Sequence, residues 1–163
     1  MPYKLLFVCL GNICRSPAAE NIMNYLIEQA GLRNQIVCDS AGTSSYHVGN
    51  PPDRRMTVAA VNKFGIQMQG CARQFTKADF EAFDLILAMD QENFANIGYL
   101  DPTGSYRHKV HLICDFCTQH NLKEVPDPYY GGIEGFNHVL DLLMDACQGL
   151  LDYVLKEIAV NPP

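Results

Sequence analysis

The sequence predicts an α/β fold, a single domain built on a four-stranded parallel sheet with helices on both faces. Three observations predict it. Short apolar runs alternate with stretches of helical periodicity along the chain. The runs at Lys4–Cys9 and Asp84–Met89 are almost continuously apolar, the pattern of strands covered on both faces. Nothing in the 163 residues reads as a repeat, a low-complexity stretch or a linker, so one domain over residues 1–163 is expected.

Lys4–Cys9 (KLLFVC) is the first strand. Ser16-Pro17 opens a helix, because the first turn leaves unused the N–H that proline lacks. Ile22, Met23, Leu26 and Ile27 give that helix an apolar face, and Gly31 supplies its stop. Gln35–Ala41 is the second strand, and Gly42–Pro52, rich in glycine, serine and proline, is a loop. Asp53 caps a helix with Val58, Val61 and Phe64 on one side and Gly65 at its end. Thr76–Phe83 is a short helix with Thr76 as cap and Asp79 three residues on. Asp84–Met89 is the third strand, and Asp90–Ile97 is helical with a stop at Gly98. Lys109–Leu112 is a weak fourth strand. Val125–Gly132 (VPDPYYGG) is a loop, because its prolines and glycines suit neither regular element. Phe136, Val139, Leu140, Leu143, Met144, Cys147, Leu150, Leu151 and Leu155 form the stripe of a long final helix.

Hydrophobic residues make up 48% and charged residues 18%, which argues against disorder. The net charge of −6 disfavours a nucleic-acid partner. That charge is uneven. Residues 1–82 carry eight Lys/Arg against six Asp/Glu, and residues 83–163 carry four against twelve, so an anion approaches the first half more easily. No apolar run reaches membrane-spanning length and no signal-peptide pattern opens the chain, so no membrane partner is expected and a cytoplasmic setting with reduced thiols is. Seven cysteines, an odd number without disulfide-framework spacing, suggest that at least one serves by its reactivity.

Ligands in such folds bind beyond the carboxyl ends of the strands, which makes the turn Cys9-Leu10-Gly11-Asn12-Ile13-Cys14-Arg15-Ser16-Pro17 the candidate site. A tight turn from strand to helix points several backbone N–H groups into one cavity at the positive end of a helix dipole. Gly11 permits an unusual backbone angle, and Asn12 tolerates a left-handed one. A phosphate dianion fits such a phosphate-binding loop, and Arg15 offers two of its oxygens a planar guanidinium. The same field favours thiolate at Cys9, since thiol pKa values fall to roughly 3.5–7.5 in such settings. A thiolate under a phosphorus atom is a nucleophile for phosphoryl transfer, and Ser16 can hydrogen-bond that sulfur as it leaves again. A buried strand cysteine beside a simple turn is the plainer alternative. The ordered succession of strand, glycine loop, Arg-Ser-Pro and helix start argues against it.

Val8–Pro17 resembles the signature of the low-molecular-weight protein tyrosine phosphatases, Val-Cys-x-Gly-Asn-x-Cys-Arg-Ser-Pro. Asp39-Ser40-Ala41-Gly42-Thr43, Ala72-Arg73-Gln74, Met89-Asp90 with Asn93, and Asp127-Pro128-Tyr129-Tyr130-Gly131 resemble that family in the same order. The resemblance implies a phosphotyrosine hydrolase acting through a cysteinyl phosphate, with Cys9, Arg15 and Asp127 catalytic and Asp127 the general acid and base. It implies that Leu10, Gly11, Asn12, Ile13, Cys14 and Ser16 belong to the substrate-binding set, and that Tyr46, Tyr129 and Tyr130 join it as walls of the cleft, although packing explains one of the latter two tyrosines nearly as well. Asn12 and Ser40 match a polar network that fixes the loop. Cys14 matches a thiol that closes a reversible disulfide with Cys9, or else packs the loop. The implied partners are tyrosine-phosphorylated proteins, with phosphate and other oxyanions as competing ligands and no cofactor or metal.

One departure is evident. Relatives often have a histidine before Ala-Arg-Gln, where this chain reads Gln69-Gly70-Cys71. A structural salt bridge explains Arg73 as well as a catalytic role does. A thiol-dependent arsenate reductase of the same fold would need further cysteines near the third strand, where Ala82–Glu92 has none. Arginine phosphatases of this kind carry threonine at the position of Ile13. A phosphate-binding module without activity would not need nucleophile, arginine and acid together. His111, Cys114, Cys117 and His120 suggest a zinc site by spacing, but residues three apart on one helix diverge too far to share one ion, so core cysteines and surface histidines are expected.

Overall fold

The computed structural model describes residues 1–129 and 131–162. Four strands, β1 (Tyr3–Cys9), β2 (Ile36–Gly42), β3 (Leu85–Ala88) and β4 (Val110–Leu112), form a parallel sheet in the order β2-β1-β3-β4. Helices α1 (Arg15–Gln29), α2 (Arg54–Phe64), α3 (Ala78–Ala82), α4 (Gln91–Tyr99) and α5 (Ile133–Val160) connect and cover it. The chain moves outward from β1 to β2, then returns to β3 on the other side of β1. Strand order therefore reverses beside β1, and a crevice opens at the carboxyl ends of β1 and β3.

The pleat divides the core. On β1, Leu5, Phe7 and Cys9 face the layer of α1 and α5, whose Ile22, Met23, Leu140 and Leu143 are buried. Leu6 and Val8 face the opposite layer, with Phe75, Phe80 of α3 and Ile97 of α4. Nearly continuous apolarity in β1 and β3 follows from this cover on both sides.

Gly31 and Gly65 adopt φ of +70° and +68°, the left-handed turns that end α1 and α2. Asp53 caps α2 by accepting from the N–H groups of Arg55 and Met56. Several expectations change. Val58 and Val61 are exposed, and α2 buries Met56, Ala59 and Ala60 instead. Leu155 of the α5 stripe is exposed as well. Gly98 does not stop α4, which runs on to Tyr99. Thr76 is not the cap of α3, which starts after Lys77; instead the Asp79 carboxylate accepts the Thr76 N–H at 2.8 Å. Gly149 of α5 lies against the 3₁₀ turn Ile113–Phe116, so close that a Cβ there would sit 1.9 Å from the Phe116 carbonyl oxygen. No helix among the described residues is long and apolar enough to cross a membrane.

Candidate active site

β1 ends at Cys9, and α1 begins at Arg15. The intervening loop is held from outside by its carbonyls. Cys9 O accepts from Thr43 N at 2.9 Å, Leu10 O from Ser44 N at 3.0 Å, and Ile13 O from Asp53 N at 2.7 Å. With those carbonyls engaged outward, the N–H groups of Gly11, Ile13 and Cys14 have no protein partner among the described residues. Unpaired N–H groups gathered at the start of a fifteen-residue helix make an anion-binding nest.

Left-handed geometry in the loop belongs to Asn12, at φ 56°, and not to Gly11. Glycine at position 11 has a different cause: a Cβ there would meet His47 Cδ2 at 2.9 Å. Asn12 is fixed on three sides. Its Nδ2 donates to Ser16 Oγ at 2.8 Å and Ser40 Oγ at 2.9 Å, and its Oδ1 accepts from Arg73 N at 3.0 Å. Gly42, paired with Cys9 across the sheet, leaves room for the loop, since a Cβ there would lie 2.8 Å from Leu10 O.

Cys9 Sγ accepts from Asn12 N at 3.2 Å and lies 3.0 Å from Ser16 Oγ. Ser16 Oγ accepts from Asn12 Nδ2, and its own proton has two acceptors in reach, the sulfur at 3.0 Å and Ala41 O at 3.5 Å. Beyond Asn12 the network passes to Ser40, whose hydroxyl donates to Glu20 Oε1 at 2.6 Å. Burial pushes the Glu20 carboxyl up to about 7, with Asp39 adding to the rise while the Ser40 hydrogen bond and Arg73 oppose it. Arg73 is engaged by Asp39 and Asp79 in salt bridges of 3.1 and 3.0 Å, the structural role. The segment without the histidine is tied to α1 through a reciprocal pair of bonds between the Gln69 backbone and the Asn21 side chain.

Arg15 is 3% exposed. Its Nη1 donates to Asp90 Oδ2 at 2.7 Å and to Val125 O at 3.0 Å, while Nη2 lies 3.7 Å from Asp127 Oδ2. Burial opposes its charge, but Cys9, Asp90 and Asp127 outweigh burial and hold the guanidinium above its ordinary pKa. Asp127 Oδ1 accepts from Tyr129 N at 3.0 Å, which fixes the carboxylate at the cavity edge. Burial, then Asp53, pushes the Cys14 thiol up, so it is protonated at neutral pH.

These groups meet in a cavity of about 300 Å³. Cys9, Leu10, Gly11, Ile13, Cys14, Arg15, Tyr46, Asp127 and Tyr129 line it, joined by Ser44 and His47, which sequence reasoning missed. Asn12, Ser16 and Ser40 stand behind the loop, outside that lining. Tyr130 lies outside the described residues. Tyr46 packs edge-on against His47, His47 lies 6.2 Å from the Tyr129 ring, and the Arg55 guanidinium stands 5.1 Å from that ring. This aromatic file forms one wall. Glycine at 11 is the sequence signal that could have exposed His47. At the zinc-like string, His120 Nδ1 pairs with Asp145 Oδ2 at 2.8 Å, while His111 packs on Phe116.

Known proteins share the sequence and fold of this chain. A Synechocystis sp. protein named as a low molecular weight protein-tyrosine-phosphatase is 64% identical over 155 residues, covering 95% of this chain and 98% of that one. The low molecular weight phosphotyrosine protein phosphatase of Schizosaccharomyces pombe is 45% identical over 149 residues, covering 91% and 94%. The crystal structure of a protein tyrosine phosphatase from Entamoeba histolytica, with Hepes in its active site, superposes with a TM-score of 0.91 at 45% identity, covering 95% and 98%. The family model described as low molecular weight phosphotyrosine protein phosphatase matches residues 4–160, and the chain belongs to that family.

Proposed function

We propose that the protein hydrolyses phosphotyrosine in proteins, with Cys9 as nucleophile and Asp127 as general acid and base. The observation that carries this reading is the convergence of Cys9, Arg15 and Asp127 on one cavity floored by unpaired N–H groups. The loop N–H groups and Arg15 hold the phosphate oxygens. Cys9 thiolate forms a bond to phosphorus as the bond to the tyrosyl oxygen breaks, and the Asp127 carboxylic acid gives that oxygen its proton. A water then gives a proton to the Asp127 carboxylate and attacks phosphorus. The P–S bond breaks and sulfur leaves as thiolate, stabilised by the Ser16 hydroxyl at 3.0 Å. Donors fixed before substrate arrives need no rearrangement in the transition state.

Tyr46, His47 and Tyr129 line the cavity and offer aromatic contacts to the ring of phosphotyrosine, contacts that phosphoserine, with a short side chain and no ring, would forgo. Oxidation of Cys9 to the sulfenic acid by a peroxide, followed by attack of the Cys14 sulfur with loss of water, would close a protective disulfide. Both cysteines are free in this structure. Peroxide inactivation of Cys14→Ser should then become irreversible.

The test is leaving-group dependence. Cys9→Ser should abolish turnover and keep oxyanion binding. Asp127→Asn should lower kcat/KM, which reports the transfer to Cys9, on phosphotyrosine peptides by about 10²–10⁴-fold, and by much less on an activated aryl phosphate that leaves without a proton. Equal losses on both substrates, or phosphoserine turnover matching phosphotyrosine, would overturn the assignment.

A further inference from the structure

Leu10 separates the catalytic cavity from a second one of about 490 Å³, and Leu10 and Ser44 line both. The second cavity lies between the loop after β2, the segment leading into α3, and the end of α4. Its floor is apolar: Phe75 and Ile97 are buried, and Leu10 and Leu100 stand partly exposed above them. Polar groups at its edge include Thr76 and Asn96.

The charge of this cavity is distinctive. Lys77 is its one charged lining residue, and no carboxylate lines it among the described residues. Lys77 is exposed; its carbonyl accepts from Phe80 N at 3.2 Å, while its ammonium has no hydrogen-bond or ion-pair partner among the described residues. The nearest acid along the chain, Asp79, is occupied by Arg73 and by the Thr76 N–H. In a chain of net charge −6, an unneutralised ammonium beside the catalytic mouth is a local attractor for anions.

We propose that this second cavity binds the polypeptide flanking the phosphotyrosine, and that it selects an acidic side chain whose carboxylate pairs with Lys77 and whose methylenes lie on Leu10 and Leu100. This rests on the phosphatase reading and deepens it. Continuity through Leu10 and Ser44 supplies the path. One to three extended residues span up to about 10 Å, so a neighbour in the substrate reaches across the divider. Apolar floor and single cation together suit a glutamate, whose stem is apolar and whose head is anionic.

The experiment measures kcat/KM for phosphotyrosine peptides with glutamate, glutamine or lysine scanned through the three positions on either side. Para-nitrophenyl phosphate, too small to reach the second cavity, is the control. Wild type should prefer glutamate over glutamine at one position by about three- to fivefold, the size of an exposed ion pair. Lys77→Glu should reverse that preference and favour lysine there, and Asn96→Glu should shift it in the same direction. High salt should erase the effect. Both variants should turn over para-nitrophenyl phosphate as wild type does. An unchanged glutamate preference in Lys77→Glu, with normal para-nitrophenyl phosphate turnover, would overturn the subsite while leaving the phosphatase reading intact. Failure of wild type on para-nitrophenyl phosphate would overturn the phosphatase reading and the subsite with it.

Discussion

Replacing Asn12 separates two ways in which the sequence could shape the catalytic loop. Its φ of 56° is a conformation that costs an alanine roughly 1–2 kcal/mol and a glycine nothing. Its side chain makes three hydrogen bonds, to Ser16, Ser40 and Arg73 N, each worth about 1 kcal/mol net. Asn12→Gly therefore removes about 3 kcal/mol of loop order without strain, and Asn12→Ala removes about 4–5 kcal/mol.

Where that energy appears depends on what the loop does when released. Strand pairing of β1 with β2 does not involve the Asn12 side chain, so the loss falls first on the unpaired N–H groups of the loop. At about 1.4 kcal/mol per decade, kcat/KM on an aryl phosphate should fall about 100-fold for Asn12→Gly and about 1000-fold for Asn12→Ala. Inhibition by inorganic phosphate should weaken in parallel, while urea midpoints move less than the activity loss implies. Equal activity in the two variants would show that left-handed geometry is not the constraint. Wild-type activity in Asn12→Gly would show that the carbonyl bonds to Thr43, Ser44 and Asp53 hold the loop alone, and the argument from the side-chain network would fail.

Two further predictions concern stability. Gly→Ala within a helix ordinarily stabilises by about 1 kcal/mol, but Gly149→Ala should destabilise by about 2–4 kcal/mol, because its Cβ would sit 1.9 Å from Phe116 O and one backbone must move; a urea midpoint at or above wild type would refute the contact. Glu20 titrates near 7 in the folded protein against an ordinary 4.5, so its contribution to stability is complete below about 4.5 and is lost as pH rises through about 7. The difference in unfolding free energy between Glu20→Gln and wild type should accordingly grow by about 2 kcal/mol in favour of the variant from pH 5 to pH 8, and a pH-independent difference would contradict the burial of that carboxyl.

The parts of the fold that were legible are those fixed by local chemistry. Continuous apolar runs marked β1 and β3 because both faces of the sheet are covered. Gly31 and Gly65 marked helix ends because each occupies a left-handed angle. Gly98 misled for the same physical reason in reverse: it has no positive φ, and glycine inside the last turn of a short helix leaves no different trace in sequence. Thr76 misled because a capping signal is symmetric on paper. A hydroxyl followed three residues later by a carboxylate fits either partner as acceptor, and here the carboxylate also accepts from Arg73 Nη1 and Nη2, which draws it to the role.

The site divides along the same line. Cys9, Arg15 and the loop between them were legible because strand, turn and helix start are contiguous, and Asp127 because of its resemblance to a known motif. His47, Ser44 and Glu20 were not, because each acts through a contact between segments distant in sequence. Asp90 shows why such contacts matter. One of its oxygens accepts the Asn93 N–H and starts α4, and the other holds Arg15 Nη1 at 2.7 Å. It can do both because β3 lies beside β1, which places the residue after β3 next to the loop after β1. The direction of the Arg15 guanidinium thus depends on the cap of a helix on the far side of the sheet, a dependence written in strand order and invisible in either segment alone.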